Sequence, residues 1–119
     1  MESAGLPRGV LFSCSHAEDG PSVDVHELVE SLGERGLQTP LILRFPEIAC
    51  HRIGQLQSAF REAISLWGYS NAFHGVFPVK ANQDADLVRA VAAHGASTGY
   101  GLEVGSRAEL ALVLGVLPP

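Results

Sequence analysis

Residues 73–83 form a short apolar segment that ends in a single lysine and a polar pair. The segment is Phe73-His74-Gly75-Val76-Phe77-Pro78-Val79-Lys80-Ala81-Asn82-Gln83. An apolar run of this length predicts a buried strand with Val76, Phe77 and Val79 in the core. Lys80 then lies at the C-terminal end of the strand, where a Schiff-base lysine sits at the mouth of an α/β barrel. The alternative is a solvated strand end, because most lysines are exposed.

The residues that follow this segment predict a repeat of strand and helix. Residues 84–94 have helical spacing, with Gly95 expected to end the helix. Residues 98–104 predict the next strand, and Ser106 with Glu109 predicts a capped helix after it. The order strand-helix-strand-helix favours parallel pairing with a right-handed crossover.

Two helices and a short strand are predicted upstream. The first helix covers residues 24–35, the strand covers residues 40–45, and Pro46 opens a second helix that runs to about Trp67. The apolar spacing of the second helix predicts that Phe60 and Trp67 anchor it in the core. Its solvent face is predicted to hold Arg52, Gln55, Gln57, Arg61, Glu62 and Ser65.

The first 22 residues have a different composition from the rest. They are rich in Gly, Pro and Ser, and Val10-Leu11-Phe12 is their one candidate strand. We expect residues 1–22 to be a mobile segment and residues 23–119 to form the folded domain. The apolar patch is too short, and its flanking positive charge too sparse, for a signal peptide.

Composition limits the function classes. The 119 residues are 46% hydrophobic and 18% charged, which is typical of a globular chain. A net charge of −5 without any basic run argues against nucleic-acid binding. No apolar run is long enough to span a bilayer. The spacing of Cys14 and Cys50 is not that of a metal site, so reduced thiols in a cytoplasmic protein are expected.

Three segments together resemble the biosynthetic arginine decarboxylases, which are pyridoxal-phosphate (PLP) enzymes of polyamine synthesis. Phe77-Pro78-Val79-Lys80-Ala81-Asn82-Gln83 is similar to that family's cofactor-lysine strand. The segment from Gly99 to Leu110 resembles its second barrel strand, and Thr39 to Ile48 resembles a signature before the barrel. The resemblance covers roughly Val23 to Leu117 and keeps the family's order and spacing.

The resemblance implies an α/β fold, namely part of a PLP-binding (β/α)₈ barrel with its first two βα units and the preceding helices. It implies that Lys80 forms the imine with PLP and that Glu103 lies close to the cofactor. Asn82 would help to bind the cofactor by orienting the loop after the strand. A turn role for Asn82 and capping of the next helix by Glu103 are the alternatives.

The same resemblance implies L-arginine as the substrate, a homo-oligomeric whole enzyme and a possible use of Mg²⁺. Because such a barrel needs roughly 200 residues or more, we expect an N-terminal fragment that is inactive alone. The family's phosphate site, ring-stacking histidine and pyridine partner have no counterpart here. Alternatives are an ornithine or diaminopimelate decarboxylase, a non-catalytic paralogue that regulates a full-length enzyme, and an unrelated small α/β domain.

Overall fold

The computed structural model describes residues 10–11 and 23–117, with side chains described from residue 23 onward. The chain divides into two compact units, Met1–Glu47 and Ile48–Pro119. In the first unit, strand β1 (Val10–Leu11) pairs in parallel with strand β2 (Leu43–Arg44). The predicted strand at residues 10–12 is confirmed for Val10 and Leu11, and Phe12 lies outside the described residues. The other residues of the segment 1–22, which was predicted to be mobile, lie outside the described residues. The predicted domain boundary between residues 22 and 23 stays a prediction.

Helix α1 (Val25–Glu34) has the predicted ends, because both are fixed by local chemistry. The Asp24 carboxylate accepts hydrogen bonds from the backbone N–H groups of His26 at 2.8 Å and Glu27 at 3.2 Å. These bonds satisfy two of the amides that a helix leaves open at its start. Gly36 follows the helix with a φ of +82°, a left-handed conformation that glycine adopts without steric cost.

Helix α2 (Pro46–Trp67) also begins and ends where the sequence predicts. Proline is favoured in the first helical turn because its missing N–H would have no partner there. Gly68 follows with a φ of +61°, and the N–H of Tyr69 donates to the carbonyl of Ile64 at 3.0 Å. This left-handed glycine and the hydrogen bond beyond it terminate the helix.

The second unit continues with two successive strand-helix pairs. Their elements are strand β3 (Val76–Pro78), a 3₁₀ turn (Val79–Ala81), helix α3 (Ala85–Thr98), strand β4 (Gly101–Glu103) and helix α4 (Arg107–Val116). Strands β3 and β4 pair in parallel, with Val76 opposite Gly101 and Pro78 opposite Glu103. The predicted strand-helix alternation and parallel pairing are confirmed.

The core of these two strand-helix pairs is built around buried valines. Val79 and Val88 are fully buried, and Val113 is 7% exposed. Phe77 and Leu102 pack against this cluster from the strands. Because successive side chains of a strand alternate between faces, Val76 lies on the other face of the sheet and is exposed. The prediction that Val76 is a core residue was wrong, since the described helices cover only one face.

The predicted strands were too long, and the end of α3 was misplaced. Helix α3 continues through Gly95 to Thr98, and Gly99, with a φ of +75°, caps it instead. Gly95 lies inside the helix. A glycine is needed there because the Tyr100 carbonyl oxygen occupies the space that a Cβ would need. The predicted strands at residues 98–104 and 40–45 shrink to Gly101–Glu103 and Leu43–Arg44.

The buried face of α2 also differs from the prediction. Trp67 is 83% exposed and Phe60 is 43% exposed, whereas Gln57, predicted to be solvated, is only 8% exposed. Ile53 and Gln57 lie on the buried side of the helix. With 3.6 residues per turn, this side is rotated by roughly 50° from the line through Phe60 and Trp67. The Phe60 ring stacks on Phe73 with ring centroids 3.9 Å apart, so the uncovered part of the apolar stripe lies toward Trp67.

A candidate active-site edge at the ends of two parallel strands

Lys80 lies just beyond the C-terminal end of β3, in the 3₁₀ turn that follows the strand. Its neighbour Val79 is fully buried in the valine core, which anchors this turn to the fold. The Lys80 side chain itself is exposed. A rigid buried neighbour next to an exposed amine holds the backbone of the lysine in place while the amine remains accessible.

Glu103 lies at the same edge of the sheet, one strand away. It is the last residue of β4 and pairs in register with Pro78, two positions before Lys80. Because β3 and β4 are parallel, both C-terminal ends point the same way. Neighbouring strands lie about 5 Å apart, so the structure places the predicted pair, Lys80 and Glu103, on adjacent strand ends. The side chain of Glu103 is exposed as well.

Asn82 links the turn after β3 to helix α3. Its backbone N–H donates to the carbonyl of Val79 at 3.2 Å. Its side-chain oxygen accepts a hydrogen bond from the N–H of Asp84 at 3.0 Å, which is an Asx turn. The turn role that the sequence left open is present, and the predicted cofactor role of Asn82 stays a prediction.

The N-termini of α3 and α4 begin at this same edge, and acidic side chains occupy both. The Asp84 carboxylate accepts from the N–H of Leu87 at 3.1 Å. At α4, the Ser106 hydroxyl accepts from the N–H of Glu109 at 3.2 Å, and the Glu109 carboxylate accepts from the N–H of Gly105 at 2.7 Å. Helix N-termini attract phosphate through free N–H groups, but a carboxylate beside each of these two helix starts repels anions. Both helix starts are therefore unfavourable positions for a phosphate.

The capping of α4 also bears on the alternative for Glu103. A strand-end glutamate was expected to be able to satisfy amides of the following helix. The cap contacts go to Ser106 and Glu109 instead. Glu103 makes no hydrogen bond or ion pair with the residues that the structure describes, so its carboxylate remains available at the edge.

Sequence reasoning missed the residue that fixes the register of the two strands. The Tyr100 hydroxyl donates to the carbonyl of Val76 at 3.1 Å, and the N–H of Gly101 donates to the carbonyl of Gly75 at 2.9 Å. The Tyr100 ring lies where a Cβ on Gly75 would be. The glycines on both sides of Tyr100 were the available signal. These contacts lie at the N-terminal ends of β3 and β4 and hold the two strands in register. That register places Lys80 near Glu103 at the C-terminal ends.

A second group of polar residues lies between α2 and α3, away from this edge. The Gln57 amide donates to the carbonyl of Thr98 at 3.0 Å, and the Cys50 thiol donates to the carbonyl of Ala90 at 3.6 Å. Among residues 23–117, no three His, Cys, Asp or Glu side chains come together in a way that could hold a metal ion. Cys14 lies outside the described residues. We find no membrane-spanning candidate among the helices of the described residues.

The sequence of this chain is similar to those of biosynthetic arginine decarboxylases. No family model matches it. It is 42% identical over 111 residues to biosynthetic arginine decarboxylase 2 of Synechocystis sp., a match that covers 93% of this chain and 17% of the relative. It is 44% identical over 111 residues to the biosynthetic arginine decarboxylase of Prochlorococcus marinus strain MIT 9313, with 93% and 16% covered.

A solved structure gives the same result at the level of the fold. The crystal structure of the biosynthetic arginine decarboxylase SpeA from Campylobacter jejuni superposes with a TM-score of 0.75 at 34% identity, covering 87% of this chain and 17% of that one. The chain thus spans about one sixth of the length of the curated relatives that it matches. Over that sixth, this chain is similar in sequence and in fold to the biosynthetic arginine decarboxylases.

Proposed function

We propose that this chain supplies the cofactor-lysine strand of a PLP-dependent arginine decarboxylase, which converts L-arginine to agmatine and CO₂ for polyamine synthesis. The observation that carries the proposal is the placement of Lys80 and Glu103 on adjacent C-terminal ends of a parallel strand pair. In barrels built from such pairs, catalytic residues lie at this end of the strands. The similarity to named arginine decarboxylases selects the reaction.

The proposed architecture is the first part of a (β/α)₈ barrel, with β3 and β4 as its first two strands. Two features support it. The strands are parallel, and α3 and α4 cover the face of the sheet that carries Phe77 and Leu102. The other face, where Val76 is exposed, would then line the barrel interior.

The described residues fit the aldehyde group of PLP but not its phosphate. Lys80 is the only lysine in the sequence, and its accessible amine at the strand end can form an imine with an aldehyde. When bound, PLP supplies an electron sink for the charge left at Cα after CO₂ departs. Among the described residues, Asp84 caps α3 and Glu109 lies in the first turn of α4, and a carboxylate at either helix start repels a phosphate. We therefore propose that residues outside this set bind the phosphate.

Each candidate residue has a proposed task. Lys80 holds the cofactor, Glu103 places a carboxylate beside it from the neighbouring strand, and Asn82 fixes the turn that carries Lys80. The turn restricts the backbone of the lysine, and a restricted backbone lowers the entropy lost when the amine reacts. We further propose a cytoplasmic homo-oligomer for the whole enzyme. Neither nucleic acid nor a membrane is a proposed partner, and no residue here is assigned to Mg²⁺.

The isolated 119-residue chain is proposed to be inactive because, among the described residues, we assign only Lys80, Glu103 and Asn82 to contact with substrate and cofactor. A chimera tests the function directly. In it, this chain replaces the matched segment of the Synechocystis enzyme. We expect the chimera to release CO₂ from arginine, and we expect borohydride reduction to leave the PLP adduct on Lys80.

The matched variant is Lys80→Arg, which keeps the positive charge and removes the reactive amine. It should abolish both decarboxylation and the adduct, while Arg107→Lys, which adds an exposed amine, should leave both unchanged. An adduct that maps to another lysine of a folded chimera would refute the assignment of Lys80. Decarboxylation by the purified 119-residue chain alone would refute the proposed inactivity.

A further inference from the structure

A polar cleft of about 770 Å³ lies between helices α2 and α3. Its lining comes from α2, between Cys50 and Glu62, and from His94 and Thr98 at the C-terminal end of α3. No residue of the candidate active-site edge lines it. Small-molecule sites in proteins usually have volumes of roughly 300–1,000 Å³, so the cleft is large enough to hold a ligand.

Two hydrogen bonds tie α2 to α3 along this cleft. The Cys50 thiol donates to the carbonyl of Ala90, and the Gln57 amide donates to the carbonyl of Thr98. Cys50 and Gln57 lie roughly 10 Å apart along α2, and Gly54 lies between them in the sequence. No atom lies within 4 Å of the position that a Cβ of Gly54 would take. The two helices are therefore held together at two points, with open space at Gly54 between them.

Gln57 brings an unused hydrogen-bond acceptor to the cleft. Its side chain is only 8% exposed. Because a carbonyl oxygen only accepts, the atom of Gln57 that meets the carbonyl of Thr98 is the nitrogen, at 3.0 Å. The Oε1 atom is buried and has no hydrogen-bond partner among the described residues. A buried acceptor without a donor costs about 1–3 kcal/mol, and a donor on a molecule bound in the cleft would remove that cost.

The α3 wall of the cleft has a second polar atom of the same kind. The Nε2 atom of His94 is buried and is likewise without a hydrogen-bond partner in the described part of the chain. An imidazole nitrogen donates or accepts according to the tautomer, so it suits either kind of ligand atom. Buried polar atoms of native proteins nearly always have a partner. Two such atoms in the walls of one cleft indicate a polar ligand.

Arg61 and Glu62 bring both signs of charge to the same cleft. Both side chains are exposed, and neither makes a hydrogen bond or ion pair with the described residues. Consecutive helix residues point roughly 100° apart, which disfavours pairing between these two. A guanidinium binds a carboxylate through two N–H groups, and a glutamate accepts from an ammonium. A ligand with one carboxylate and one ammonium satisfies both residues, whereas a diacid or a diamine meets a like charge.

We infer that the cleft between α2 and α3 binds a free α-amino acid. The carboxylate of the ligand pairs with Arg61, and its ammonium donates to Glu62 and to the Oε1 atom of Gln57. An ammonium has three N–H donors, so one group serves both acceptors. Gln57 and Arg61 are i,i+4 neighbours on α2, which suits the adjacent charged groups of an amino acid. The inference does not depend on the proposed function, because the cleft and the active-site edge share no residue.

Three probes that differ in one charged group test the class of ligand. They are L-leucine, its methyl ester, which lacks the carboxylate, and 4-methylpentanoate, which lacks the ammonium. Each is titrated into the 119-residue chain by isothermal calorimetry, while NMR follows the side-chain amide signals of Gln57. We expect leucine to bind at least tenfold more tightly than either analogue and to shift these signals. Equal binding of the three probes, or no binding of leucine at millimolar concentration, would overturn the inference.

Two pairs of variants locate the ligand. Arg61→Gln should weaken leucine binding at least tenfold, while Arg107→Gln, outside the cleft, should change it less than twofold. Gly54→Met fills the open space between the helices and should abolish binding. Gly115→Met makes the same change on α4, where a Cβ also meets no atom, and should leave binding unchanged. Methionine favours helix over glycine, so both variants should keep the helical circular dichroism. Equal leucine affinity within either pair would place the ligand elsewhere and refute the site.

The chimera with the Synechocystis enzyme shows whether the cleft is open in a whole decarboxylase. Leucine binding is compared between the chimera and its Gly54→Met variant, because only the difference reports on the cleft. We expect the chimera to bind leucine within threefold of the affinity of the 119-residue chain, and the variant to lose that binding. No difference between the two would assign the cleft to packing against the rest of the enzyme and overturn the inference. A chimera that binds leucine in the cleft but does not decarboxylate arginine would contradict the proposed function alone.

Discussion

The two ends of the β3–β4 pair are built in opposite ways. At the N-terminal end, Gly75, Gly95 and Tyr100 approach so closely that no Cβ fits at either glycine. At the C-terminal end, the side chains of Lys80 and Glu103 are exposed and make no hydrogen bond or ion pair with the described residues. Stability and candidate chemistry are therefore carried by different residues at different ends, as in barrels whose catalytic residues lie on the C-terminal face. Substitutions at the two ends should then have separable effects.

Gly95→Ala should have the largest effect on stability. The new Cβ would overlap the carbonyl oxygen of Tyr100, a backbone atom that cannot move without shifting the connection from α3 to β4. Overpacking of this kind costs about 3 kcal/mol. We expect the free energy of unfolding to fall by that amount in urea titrations followed by far-ultraviolet circular dichroism.

Gly54→Ala is the matched control in helix α2. No atom lies within 4 Å of its would-be Cβ, and alanine is favoured over glycine in a helix by about 0.5–1 kcal/mol. The control should therefore be slightly stabilised. If Gly95→Ala were equally stable, the close approach of Tyr100 to α3 would not exist in solution.

Val88→Ala should have the next largest effect. Val88 is fully buried in one cluster with Val79 and Val113, and removal of its two methyl groups leaves a cavity there. Loss of buried apolar groups of this size costs about 2 kcal/mol. Leu114→Ala on helix α4, where the side chain is 68% exposed, should cost less than about 0.5 kcal/mol. Similar midpoints in urea for the two variants would contradict the core as described.

The elements that the sequence predicts well are those set by local chemistry. Asp24, Pro46 and Gly68 fix helix ends through their own hydrogen bonds or backbone preferences, so the bounds of α1 and α2 follow from a few neighbouring residues. The position of Lys80 at a strand end follows equally locally, from an apolar run and its last residue. Its proximity to Glu103 then requires only that two strands be parallel.

The features that the sequence does not predict depend on contacts between distant residues. Gly95 resembles a helix stop, but Tyr100 packs against it and the helix continues. Gln57 is polar and yet buried, because its amide meets the carbonyl of Thr98, 41 positions along the chain. Trp67 matches the apolar period of α2 but is exposed, since no described element packs there. A helical period shows which residues are apolar, while the partner elements decide which of them are covered.

Ser106→Ala should have a moderate effect, because it acts at the C-terminal edge but on a helix cap. The Ser106 hydroxyl accepts from the N–H of Glu109, and loss of such a cap costs about 1 kcal/mol. Ser65→Ala, at an exposed site inside α2, should be neutral or slightly stabilising because alanine favours helix. Equal losses in the two variants, measured by the same urea titration, would show that the cap of α4 is not formed in solution.

Lys80→Ala should have the smallest effect on stability, and it tests the separation of the two ends most directly. The side chain is exposed and makes no described hydrogen bond or ion pair, so its removal should change the free energy of unfolding by less than about 0.5 kcal/mol. The same substitution should abolish decarboxylation in the chimera with the Synechocystis enzyme. This combination of results would show that Lys80 serves activity and not folding. A loss of stability comparable to that of Gly95→Ala would instead make Lys80 part of the fold and remove the contrast between the ends.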